Sequence, residues 1–148
     1  MLTMDDIDRI RNNDFLTKKQ KAKYIIDFLD KDRIVCKEGI YYYRFLDEDI
    51  PVLLKSTSII KVKNNPTYSE NNNSPLQQYY QYRQTIERIM RAINSICLKE
   101  DRIIFVERMI YQKKIEQIIY QYYLSTRGYY NCYNTALNDF CQNLKITE

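Results

Sequence analysis

The chain has no histidine and no tryptophan, and only two glycines and three prolines in 148 residues. Without histidine there is no Ser-His-Asp or Cys-His nucleophilic site and no His-ligated metal. Gly39 and Gly128 stand alone, outside any G-x-G or G-x-x-x-x-G-K pattern, which excludes a Rossmann or P-loop nucleotide site. So few breakers argue against a β-sandwich or propeller, whose corners need Gly and Pro, and in favour of helices. Cys36, Cys97, Cys132 and Cys141 form no C-x-x-C pair. One helix through the last two would set them on nearly opposite faces, so neither zinc nor a local disulfide is expected. No uncharged apolar run approaches the ~18–20 residues of a membrane span. Asp5, Asp6 and Asp8 fall where the apolar core of a secretory signal would begin. The expectation is a cytoplasmic protein with reduced cysteines, no membrane contact and no cofactor.

Hydrophobic residues make up 45% and charged residues 28%, a globular composition. The net charge is +4, of which residues 1–75 carry +1 and residues 76–148 carry +3. This mild bias is compatible with nucleic-acid binding and common among helical proteins. The fifteen tyrosines, with abundant Ile, Asn and Lys, reflect A/T-rich coding before they suggest a stacking platform.

Asn, Ser and Pro concentrate between residues 63 and 75, where apolar periodicity disappears and Pro66 and Pro75 disfavour helix before them. The expected organisation is a small α+β regulatory or interaction domain over residues 1–63, a linker over 64–75 and a helical DNA-binding domain over 76–148. The fold class is mainly α, with four helices and a helix-turn-helix in the second domain.

In the first segment, residues 4–11 read as a short helix and 17–29 as a better one. The latter puts Ala22, Ile25, Ile26 and Leu29 on one stripe, with Lys18, Lys19, Lys21 and Lys23 outside. Residues 33–36 and 40–46 read as strands about Lys37-Glu38-Gly39, a hairpin with Gly at the turn. Residues 52–54 and 59–62 are candidates for further strands. Asp47-Glu48-Asp49 reads as a solvated loop, because three adjacent acids without a second carboxylate cluster fall short of a magnesium site. The aromatic strand at 40–45 is apolar on both faces. Its tyrosines, Tyr41 and Tyr43 among them, either close a small core or face a partner: a second copy of the chain or a regulatory protein.

The second segment predicts helices at 76–97, 99–111, 113–123 and 126–144. Tyr79, Tyr82, Ile86, Ile89, Ile93 and Ile96 form the stripe of the first. Ile103, Val106, Met109 and Ile110 face inward on the second, with Leu98 a contact at its start. Ile115, Ile118, Ile119 and Tyr122 mark the third. In the fourth, opened by Ser125 as N-cap, Tyr129, Tyr133, Ala136, Leu137, Phe140 and Leu144 share one face. The opposite face reads Thr126, Arg127, Tyr130, Asn131, Asn134, Thr135 and Asn138, with no acid before Asp139. A merely solvated face would be rich in Glu and Lys. Arg can donate a bidentate pair to guanine, Asn can pair with adenine and Thr can touch the thymine methyl. Two amphipathic helices joined by a tight turn, the second bearing such residues, describe a helix-turn-helix. The competing description is a helical hairpin whose polar face is Asn-rich through codon bias.

Residues 98–144 resemble the region-four helix-turn-helix of bacterial sigma factors, and more closely the phage late-transcription activators of the ArpU/RinA type. The resemblance rests on Leu98 and Arg102, Ile118, Leu124-Ser125, Arg127, Tyr129-Tyr130, Ala136-Leu137 and Phe140. It covers about a third of the chain, and it implies promoter DNA and RNA polymerase as partners in a bacterial host cell. On this reading Arg127, Asn131 and Asn134 meet bases, with Asn138 farther along the same face and Ser125 as the cap. Thr126, Tyr130, Lys113 and Lys114 hold phosphates. Sigma-like motifs usually carry Gly two positions before the Ser, where this chain has Tyr123, so a differently built turn is expected. Gly128 either lets a phosphate approach closely or is a neutral tolerance. The alternative function is a helical adaptor or inhibitor that does not bind DNA. An enzyme ranks third, because no acid, base and nucleophile can be assembled.

Overall fold

The computed structural model describes residues 2–46 and 75–147. Its elements in chain order are α1 (Met4–Arg11), α2 (Lys18–Ile26), a 3-10 turn (Lys31–Arg33), β1 (Ile34–Lys37) and β2 (Ile40–Tyr43). Then follow α3 (Pro75–Asn94), α4 (Lys99–Met109), α5 (Ile115–Gln121) and α6 (Thr126–Asn143). The chain is mainly α, with a small α+β region preceding four helices, as its sequence predicts. The strands expected at 52–54 and 59–62, the acidic run at 47–49 and all of the 64–75 linker except Pro75 lie outside the described residues.

Local chemistry explains the element boundaries. Thr17 and Gln20 form a reciprocal box at the start of α2: the Gln20 N–H donates to the Thr17 hydroxyl (3.2 Å), and the Thr17 N–H to the Gln20 side chain (2.8 Å). The hairpin pairs Lys37 with Ile40, and its two loop residues, Glu38 and Gly39, have φ of 55° and 82°. Two left-handed residues give the loop whose twist matches the strands it joins, and Gly supplies one of them without strain. A Cβ at residue 39 would lie 2.7 Å from the Lys99 side chain, a second reason for glycine there.

The core does not divide at residues 64–75. Ile7, Ala22, Ile25, Ile26, Leu29, Ile34 and Tyr41 join Ile86, Ile89, Ile93, Phe105, Phe140 and their neighbours in one buried cluster. α2 packs on α6, and β2 packs on α3. Arg102 ties the two parts together: its buried guanidinium donates to the Gly39 carbonyl (2.6 Å) and to the Ile96 carbonyl (2.7 Å).

Two expectations are corrected by this packing, and one open alternative is decided. α4 is buried on nearly every side, at Asp101, Arg102, Ile104, Phe105, Val106, Met109 and Ile110, while Ile103 is only half-buried and Leu98 is exposed. Its burial is not confined to one stripe, so a one-stripe reading misplaces it. Of the two readings open for Tyr41, burial in the core is the one that holds, and that burial raises its hydroxyl pKa. Lys21 is also inside, at 2% exposure, because its ammonium group donates to the Thr147 carbonyl at 2.6 Å. Arg11 reaches the Leu144 carbonyl (3.0 Å) and Arg88 the Asn143 carbonyl (3.2 Å). Arg88 and Arg11 thus meet the last carbonyl of α6 and that of its C-cap, at the negative end of the helix dipole, and Lys21 ties down the segment that follows.

Candidate nucleic-acid interface

α4, α5 and α6 pack against one another in pairs, and the short α5 leads through four residues into the long α6. Ile118 is fully buried beneath α5, and Ile115, Ile119, Tyr122 and Leu124 pack against the same core. α6 lays down its whole expected stripe: Tyr129, Tyr133, Ala136, Leu137 and Phe140, with Leu144 just past its end, are all buried. Tyr133 stacks on Tyr129 (centroids 5.8 Å apart) and donates its hydroxyl to the Met109 sulfur (3.3 Å). Burial pushes the Tyr133 phenol up to about 12. These aromatic contacts fix the rotation of α6 and hence the face it presents.

The turn between the helices differs from the expectation. The sequence argues that Tyr123 would avoid a left-handed backbone, yet its φ is +55°. The Leu124 N–H bonds to the Ile119 carbonyl (3.0 Å) and the Tyr122 N–H to the Ile118 carbonyl (3.0 Å). The first of these is the long bond of a Schellman stop, and Leu124 and Ile119 both pack against the core. A turn normally given to glycine is kept, and a tyrosine occupies it. Ser125 then caps α6 as expected, accepting the Gly128 N–H at 2.9 Å. A Cβ on residue 128 would stand 3.1 Å from that hydroxyl, so the absence of a side chain eases the cap.

The outward face of α6 presents Thr126, Arg127, Tyr130, Asn131 and Asn134, all exposed. Arg127, Asn131, Asn134 and Asn138 follow steps of four, three and four, so they share one face. Asp139, the one acid on the helix, turns instead to the Cys97 N–H (3.2 Å). The two lysines expected to hold phosphates differ. The helix expected from residue 113 begins at Ile115, leaving both lysines ahead of it. Lys114 is exposed beside the turn, its N–H bonded to the Gln117 side chain (3.1 Å). Lys113 is ion-paired with Glu107, a bond that raises its pKa, and so is already neutralised.

One neighbour escapes the sequence reading. Lys18 of α2 donates to the Asn138 side-chain oxygen at 2.6 Å, and Lys19 lies over the Tyr133 ring, 5.5 Å from its centroid. The lysine run is visible in the sequence, but nothing there joins residues 120 positions apart. Among the described residues no group of His, Cys, Asp or Glu could hold a metal, and no helix is long and apolar enough to cross a membrane. Comparison of the chain with protein-family models, curated proteins and solved structures finds no match.

Proposed function

We propose that the protein is a sequence-specific regulator of transcription that binds double-stranded DNA through the N-terminal half of α6. The observation that carries this reading is the asymmetry of α6. Its aromatic face is locked into the core, while Arg127, Asn131 and Asn134 project from the other side with no carboxylate among them. A recognition helix needs that combination: fixed orientation, and donors and acceptors that suit purine edges. Arg127, Asn131 and Asn134 meet bases; Thr126, Tyr130 and Lys114 meet the flanking phosphates. The resemblance to sigma region four and to ArpU/RinA-type activators extends the proposal to activation of phage late genes with RNA polymerase. The decisive experiment selects duplexes from a randomised pool with the purified full chain, then measures binding by fluorescence anisotropy from 50 to 200 mM salt. Enrichment of a common motif with salt-dependent binding supports the reading, and recovery of no duplex refutes it.

A second reading, a docking module for another protein, draws on Tyr120 and Tyr123. These rings are 86% and 95% exposed at the end of α5 and in the turn. The same selection separates the two readings, because a docking module enriches no DNA.

A further inference from the structure

We infer that α2 is a second DNA-contacting element, in which Lys18 and Lys19 hold the phosphate backbone where α6 leaves the major groove. The inference rests on the DNA-binding reading of α6 and adds a site that reading does not contain. α2 has the sequence KKQKAKYII, with four lysines and no acid. Two of the four are held away from the exposed face of α6, Lys21 by the Thr147 carbonyl and Lys23 by Asp27. Lys18 and Lys19 are the pair turned toward α6: one bonds to Asn138, the other lies over Tyr133. Neither has an ion pair among the described residues.

The dimensions place them at phosphates rather than bases. Asn138 lies eleven residues beyond Arg127, about 16 Å along the helix at 1.5 Å per residue. A helix-turn-helix sets the first residues of its second helix on the base edges. The major groove is only about 8.5 Å deep and 12 Å wide. With Arg127 at a base, Asn138 and the Lys18 ammonium that binds it therefore stand past the rim, level with the sugar-phosphate chain. Asn138 accepts from Lys18, which directs the ammonium toward the α6 face, and two further protons on that nitrogen remain to be donated. The packing of α2 against α6 fixes the spacing between base-reading and phosphate-holding residues.

The test uses the full chain and a 30-base-pair duplex of mixed sequence, with affinity measured from 50 to 200 mM salt. Each phosphate contact contributes roughly 0.9 to the slope of log affinity against log salt. Replacing both lysines (Lys18→Gln with Lys19→Gln) should lower that slope by roughly 1.8, shrinking the loss of affinity across this range by about twelve-fold. Lys18→Arg with Lys19→Arg should keep the slope. Lys23→Ala removes a lysine that Asp27 already neutralises and should leave the slope unchanged. Circular dichroism checks that each variant is folded; both replaced side chains lie at the surface. A wild-type slope in the double Gln variant overturns the inference while leaving the α6 reading intact. An equal loss from Lys23→Ala overturns it too, because the effect would then be general charge. Absence of wild-type binding to this duplex and to any selected one defeats the α6 reading itself.

Discussion

The Leu124 N–H reaches the Ile119 carbonyl at 3.0 Å, and the chain closes that bond by carrying Tyr123 through φ +55°. The bond ends α5 and sets the direction in which α6 begins. In an L-residue with a Cβ, the left-handed region costs on the order of 1–2 kcal/mol.

Tyr123→Gly should therefore stabilise the protein. Removing the Cβ strain is partly offset by the greater backbone freedom of glycine in the unfolded chain, leaving a gain of about 0.5–1 kcal/mol. The urea midpoint of the variant checks this. A lower midpoint would mean that the exposed ring makes a contact worth more than the strain.

Ala136→Asp tests the packed face of α6. Residue 136 has no solvent exposure, so a carboxylate there would be cut off from water. Burial of an unpaired acid costs several kcal/mol by order of magnitude, enough to unfold a domain of ordinary stability. Loss of the helical circular-dichroism signal at 25 °C is expected, and wild-type melting would show that the core lies on the other face.

Arg127→Ala and Asn131→Ala should change stability by less than about 0.5 kcal/mol, as surface substitutions do. Each should weaken binding to a selected duplex by about 1–3 kcal/mol and leave binding to a mixed-sequence duplex largely intact. Lys114→Ala should weaken both duplexes alike, whereas Lys113→Ala should do little because Glu107 already holds that ammonium. Anisotropy titrations with the two duplexes read all four variants. Normal binding by both Arg127→Ala and Asn131→Ala would rule out direct readout by this helix.

Stability should vary little between pH 6 and 8, since the chain lacks histidine, and should fall at alkaline pH. Burial pushes the Cys141 thiol up from 9.0 to about 11 and the Tyr133 phenol up from 10.0 to about 12. The folded state keeps these protons longer than the unfolded chain does. Their stabilisation is complete below pH 9 and is lost as pH rises through the folded values. Over that window the slope approaches about 1.4 kcal/mol per pH unit for each group. Urea midpoints at pH 7, 9 and 10.5 follow the decline, and Cys141→Ala should make it shallower between pH 9 and 11, where this thiol contributes.

The faces of α6 were legible in the sequence because a surface helix records its surroundings in a 3.6-residue rhythm, and Tyr129 to Leu144 keep it without a break. The cap at Ser125 was legible because it is local chemistry. The rhythm fails for α4, whose burial is not confined to one stripe: Ile103 is only half-buried, while Asp101 and Arg102 are buried. It misplaces Lys21 in the same way: a charged residue reads as solvated unless its partner is known, and that partner is the carbonyl of residue 147. Tyr123 misled for another reason. Local strain argued against the left-handed turn, and the hydrogen bond and core packing that outweigh it form only once α5 has folded.

The clasp of Arg11, Lys21 and Arg88 on the carbonyls of Leu144, Thr147 and Asn143 bears on how the protein is made. Arg11 binds a carbonyl 133 positions away and Lys21 one 126 positions away. A growing chain emerges from its N-terminus, so α1 and α2 leave the ribosome long before their docking site exists. Until residue 147 appears, Lys21 lacks its acceptor. The contacts of Arg11 and Lys21 with residues 144 and 147 therefore form only after this region has been synthesised. Amide protons in the final turn of α6 and in α2 should become protected together.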